Sequence, residues 1–283
     1  MTGPPSEFVV PRRFRGPAIS GNGGWTAGAL ATLLVGHAEA PQPPVRVRLS
    51  APPPLETPMV VTRDGEVATA TAGGRVVAAA TLLDDAEAAA ALQPVPPVAA
   101  DVAAAAAAGY RGLRDHPFPE CFSCGTARAP GDGLRLFPGP VDGVDAVVAA
   151  AWTPHESLAD EPVEGPADGQ GDAEVEGEVE GEVAGRGRVP VPVLWAALDC
   201  PGGWAVDLTG RPMVLGTMTA WVGERPRIGE PLVVVGRVLD VSDRTARTAT
   251  TLYRATSRGT GRALAVAAHG WGRVDPTTCG ATP

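Results

Sequence analysis

The sequence predicts an α+β protein that uses one plan twice, an apolar helix followed by an antiparallel sheet. Three observations carry this. The stretch "SGNGGWTAGALATLLVGH" (20–37) opens with glycines and continues with apolar residues at helical spacing, ahead of a series of strand-like runs. A second apolar stretch, "VPVLWAALDC" (191–200), precedes four longer runs of the same kind. The turn residues between runs suit hairpins, not long crossovers.

In the first helix Trp25, Leu30, Leu33 and Leu34 supply the apolar spacing, and Ser20 or Asn22 supplies the cap. "VRVRLS" (45–50), "PMVVTRDG" (58–65), "EVATATAGG" (66–74) and "RVVAAATLL" (75–83) then read as a meander, with "RDG" and "AGG" as tight turns. Residues 84–112 are Ala-rich and broken by "QPVPP", giving either two short helices or a helix and a linker. The boundary between units falls here: a first unit over 1–92, a connection over 93–120 and a second unit over 121–283.

The second unit begins with "GLRLFPG" (133–139) and "DAVVAAAWTP" (145–154), both read as strands. An acidic insert at about 156–187 follows, too charged to bury and therefore read as a disordered loop without EF-hand spacing. The apolar helix comes next, with "DCPGG" as the turn that ends it. "MVLGTMTAWVG" (213–223), "EPLVVVGRVLDV" (230–241), "RTARTATTLYRATS" (244–257) and "GRALAVAAHGWGRV" (261–274) complete the sheet.

Composition removes several function classes. A length of 283 residues with 44% hydrophobic residues allows one large domain or two ordinary ones. The net charge is −9, Arg supplies all 23 basic charges, and no basic footprint for nucleic acid is present. No run of about 18 uninterrupted apolar residues predicts a membrane span. The first residues lack the basic-then-apolar order of a secretion signal, so a cytoplasmic location is expected. Arg12, Arg13 and Arg15 cluster near the start, as a solvated arm or as partners for phosphates.

Cys121 and Cys124 form a lone C-x-x-C. A structural zinc site wants four ligands, and Cys200, Cys279 or His116 would reach it only through folding. The expectation is reduced, partly buried thiols and no metal.

The phrases "ISGNGGWTAGALATLL", "VRLSAPPPLETPM", "CFSCG…GDGLRLFPG" and "WAALDCPGGWA" resemble tandem double-hotdog proteins of the acyl-CoA thioesterase type. The resemblance implies two hotdog domains, each a curled antiparallel sheet around a central helix. In the related acyl-CoA thioesterase II family, an Asp at the end of the second helix works with a Thr and a Gln. That resemblance puts Asp199 in the place of the Asp and Thr217 in that of the Thr, with Thr219 one pleat further on. His269 stands where the family has Gln, which turns a water-positioning group into a titratable one. Asn22, Gly23 and Gly24 resemble the glycine-rich helix opening that binds substrate in many hotdog enzymes.

The chemistry fits on paper. A carboxylate in an apolar wall becomes more basic, and glycine amides at a helix N-terminus suit an oxyanion hole. Each residue also has a plain structural use: Asp199 as a helix cap, Asn22 as an N-cap, Thr217 and Thr219 as ordinary strand residues, Cys200 and His269 as core. The expected function is acyl-CoA hydrolysis by carboxylate-assisted water attack, with no cofactor. The alternatives are a non-catalytic acyl-CoA binding protein and a hotdog dehydratase or hydratase. Acyl chain length, the carrier (coenzyme A or a carrier protein) and homo-oligomer formation are left open.

Overall fold

A computed structural model describes residues 6–37, 39–159, 187–259 and 261–275. Helix α1 (Gly23–Val35) begins where Asn22 Oδ1 accepts from the Trp25 N–H at 2.8 Å, and it ends at Gly36, whose φ of +88° suits glycine. Around it run β1 (Ser6–Phe8), β2 (Val45–Leu49), β3 (Met59–Asp64), β4 (Val67–Ala72) and β5 (Arg75–Leu82). The expected turns are in place, at Gly65 between β3 and β4 and at Gly73-Gly74 between β4 and β5.

The Ala-rich stretch forms two short helices, α2 (Asp85–Ala91) and α3 (Ala100–Ala106). Asp84 and Glu87 close a reciprocal capping box on α2. The second set of strands is β6 (Gly139–Pro140), β7 (Val147–Trp152), β8 (Met213–Val222), β9 (Leu232–Val241), β10 (Thr245–Arg254) and β11 (Ala265–Arg273), with helix α4 (Val191–Ala205) before β8.

Among the described residues, all the strands join one antiparallel sheet of eleven, in the order β1-β3-β4-β5-β2-β8-β11-β10-β9-β7-β6. The seam between the two sets is β2 against β8, with Val45 opposite Ala220 and Val47 opposite Met218. The sheet wraps α1 and α4, which pack on each other and on its inner face. Helix α4 is apolar all round and buried from Val193 to Trp204, as a helix enclosed by both sheet and partner helix must be.

The connection between the units is itself held down. On the outer face of the second set of strands Val95, Ala103, Val233, Val235 and Tyr253 form a separate apolar cluster. Tyr253 Oη donates to the Val95 carbonyl at 2.6 Å, and the Val95 N–H donates to Thr251 Oγ1 at 2.9 Å.

Three local expectations change. "GLRLFPG" is not a strand: Gly133 makes an isolated bridge with Pro130, and Gly139 starts the two-residue β6, in which Gly139 and Pro140 pair with Ala149 and Val148. Residues 156–158, at the start of the acidic insert, make a 3₁₀ turn with Leu158 buried, while residues 160–186 of that insert lie outside the described residues. Helix α4 does not stop at "DCPGG" but runs through Pro201 to Ala205. Hydroxyls from other segments bond carbonyls in this region: Ser123 Oγ donates to Ala196 O at 2.7 Å and Thr250 Oγ1 to Leu198 O at 2.8 Å.

Candidate active site

The contact between the helices is made of glycine. A Cβ at Gly24 would stand 2.6 Å from both Asp199 Cβ and the Trp195 carbonyl, and one at Gly28 would stand 2.8 Å from Trp195 and Pro192. Two glycines one turn apart therefore let α1 and α4 touch through backbone. The helices run antiparallel there, since Gly24 meets Trp195 and Asp199 while Gly28 meets Pro192.

This closeness brings Asp199 to the first turn of α1. The Gly24 N–H donates to Asp199 Oδ2 at 2.9 Å, and Asp199 Oδ1 is buried without a partner. Burial pushes the Asp199 carboxyl up to about 7, against the lowering effects of the Gly24 N–H and the Asn22 side chain. Asp199 is therefore neither the C-cap of its own helix nor a turn residue; it stands inside α4, bonded to a first-turn amide of the other helix.

Asp199 lines a cavity of about 340 Å³ with Asn22 and Gly23. Its walls are mainly apolar, among them Leu49, Phe118, Leu208, Met213, Leu215 and Trp271. Asn22 serves as N-cap through Oδ1, and its Nδ2 donates to Ser123 Oγ at 3.3 Å. Gly23 is the first residue of α1, so its N–H has no acceptor within the helix. The Gly24 N–H, expected to serve an oxyanion, is occupied by Asp199.

The other expected residues are placed elsewhere. Gly270 pairs with Thr217 but Trp271 pairs with Leu215, so Gly216 is a bulge that shifts the alternation of β8. Beyond the bulge Met218 and Ala220 face the core, which turns Thr217 and Thr219 to the outer face beside Arg48 and Arg46. Neither threonine lines the cavity. His269 faces inward but packs against Thr248 and Gly202, with Nδ1 3.3 Å from Thr248 Oγ1 and Nε2 unpartnered. Burial lowers its pKa to about 4, leaving a neutral imidazole that does not line the cavity holding Asp199. Of the N-terminal arginines, Arg13 donates to the Gly131, Asp132 and Ser157 carbonyls and Arg15 pairs with Glu120.

The sequence pairs Cys121 with Cys124 and leaves Cys200, Cys279 or His116 to join them only through folding; the fold brings Cys200 to the pair, and Cys279 lies outside the described residues. Cys121, Cys124 and Cys200 all line the cavity, are buried, and have sulfurs within 4.8 Å of one another. Hydrogen bonds from the Cys124 and Cys200 thiols pull Cys121 well below the usual thiol range. Burial raises Cys124, and Cys200 is raised chiefly by its hydrogen bond with Cys121. Ser123, which ties Asn22 to the Ala196 carbonyl, had no signal beyond its place between two cysteines.

No protein-family model and no curated protein sequence matches the chain. Solved structures do match over its full length. A conserved hotdog-fold protein from Alicyclobacillus acidocaldarius is 17% identical with a TM-score of 0.55, covering 97% of this chain and 94% of its own. A candidate thioesterase from Novosphingobium aromaticivorans is 12% identical with a TM-score of 0.55, covering 96% of each chain. A candidate thioesterase II from Thermobifida fusca is 13% identical with a TM-score of 0.52, covering 96% of this chain and 94% of its own. The wrapped sheet, the paired inner helices and these likenesses define a tandem hotdog protein. Both hotdog units lie in one chain, and together they form the candidate site.

Proposed function

We propose that the protein hydrolyses a thioester, with Asp199 as the base that activates water. The observation that carries this is the state of the Asp199 carboxylate. One oxygen is fixed by the Gly24 N–H, and the other is buried and unpartnered beside an apolar cavity. A thioester carbonyl near the opening of α1 would meet the Gly23 N–H and the positive end of the helix, where the oxyanion develops. Asp199 Oδ1 takes a proton from water as its oxygen attacks the carbonyl carbon. The carbon–sulfur bond then breaks, and the departing sulfur recovers the proton.

The apolar walls suit an acyl chain, and Arg273, exposed at the cavity, suits the phosphates of an acyl-coenzyme A. The hydratase reading pairs an aspartate with a histidine, and no histidine lines this cavity. The test is release of free thiol from a panel of short to long acyl-coenzyme A substrates, with Asp199→Asn beside the native chain. Turnover that collapses in the variant supports the reading. Binding without turnover by the native chain would make the protein a binding module, and turnover that survives in the variant would remove Asp199 from the chemistry.

A further inference from the structure

The three thiols are arranged as one face of a metal site. Cys121 and Cys124 stand on a short loop and Cys200 on α4, and the Cys121 and Cys200 sulfurs are 3.6 Å apart. Zinc–sulfur bonds of about 2.3 Å in a tetrahedron place the sulfurs about 3.8 Å apart. We infer that Cys121, Cys124 and Cys200 bind a thiophilic divalent cation of the zinc class, whose fourth position opens into the cavity.

The loop is built to hold this face. The Gly125 N–H donates to the Cys121 carbonyl at 2.8 Å, and a Cβ at Gly125 would stand 2.5 Å from the Cys121 and Pro119 carbonyls. Tyr110 Oη donates to the Cys124 carbonyl at 3.0 Å, and the Phe122 N–H donates to the Arg15 carbonyl at 2.7 Å. The two loop sulfurs are thus set by backbone bonds and do not depend on a bridge. A disulfide would use two of the thiols and strand the third, whereas a cation engages all three.

Groups around the sulfurs suit thiolate ligands. Asn22 Nδ2 lies 3.7 Å from Cys121 Sγ, and the indole N–H of Trp204, buried without a hydrogen-bond partner, lies near Cys124. His116 is not the fourth ligand, because its Nε2 meets the Cys124 carbonyl and its Nδ1 accepts from the Phe118 N–H. The fourth position is left to water or to a donor atom of the cavity's occupant, the open arrangement that reactive zinc sites keep. Asp199, which lines the same cavity, is the sequence neighbour of Cys200.

The experiment reads metal and needs no substrate, so its failure is separate from failure of the thioester reading. The full chain is purified reduced and without chelator, its zinc is measured, and the stripped protein is titrated with cobalt(II). Zinc in proportion to chain, and a cobalt spectrum with tetrahedral bands and thiolate-to-metal charge transfer, are expected. Cys124→Ser and Cys200→Ser should weaken cobalt binding by at least about tenfold while circular dichroism stays native. If those variants do not fold, the native chain still decides, since Cys121, Cys124 and Cys200 should be alkylated more slowly in the zinc-loaded chain than in the stripped chain under the same conditions. Reduced protein that takes up no stoichiometric metal, or cobalt bound without a thiolate band, overturns the inference.

Discussion

Burial acts on Asp199 and His269 in opposite directions, raising the one and lowering the other. Asp199→Asn keeps the shape of the side chain and an oxygen to accept from Gly24, so the fold should persist. Turnover of a thioester should fall by about 10²- to 10⁴-fold, the usual cost of losing a positioned base. His269 acts on stability instead. Its folded pKa of about 4 lies below the unfolded value of about 6.5, so between these pH values the unfolded chain binds the extra proton. Stability should therefore be unaffected by this group above pH ~6.5 and decline as pH falls toward ~4, by about 3 kcal/mol in all. His269→Gln should flatten that part of the curve in denaturant titrations at several pH values. An unchanged slope would mean that the imidazole is not held neutral.

At the scale of elements, the contact of α1 with α4 decides both packing and site. Gly28→Ala forces a methyl into Trp195 and Pro192 and should cost about 1–3 kcal/mol in thermal or denaturant unfolding. Gly24→Ala meets backbone and Asp199 together, so it should lose stability and turnover at once. A Gly24→Ala protein with native stability would show that the helices are further apart than described.

Much of α1 was legible in sequence, because an N-cap, helical spacing and a terminal glycine are local signals. The meander after it was legible for the same reason, through Gly65 and Gly73-Gly74. The course of α4 was not. "DCPGG" reads as a turn, and Ser123 and Thr250, which hydrogen-bond its carbonyls, come from distant segments. The bulge at Gly216 was equally hidden, since unbroken alternation in "VLGTMTAWV" suggests one face for Leu215 and Thr217. Asp199 stood out as a carboxylate in an apolar run, but its partner is 175 residues away. Its bond to Gly24 therefore reversed the role expected for that amide.

In the whole molecule, the sheet is continuous across β2 and β8, and the site belongs to neither unit alone. The first unit supplies an amide and the second a carboxylate. The repeated "GGW" shows how unlike the units have become: it opens α1 at Gly23-Gly24-Trp25 but falls near the end of α4 at Gly202-Gly203-Trp204. Gly24 is second in α1 and Asp199 is ninth in α4. The exchanged pair is Pro192, second in α4, and Ala31, ninth in α1. Proline has no N–H to donate and alanine has no acid, so the mirrored junction lacks both halves of the arrangement. The chain is thus double in architecture, while the carboxylate-to-amide contact is made at one of the two junctions. A non-hydrolysable thioester analogue titrated calorimetrically should saturate at one molecule per polypeptide, and saturation at two would mean that the mirrored junction has kept a pocket of its own.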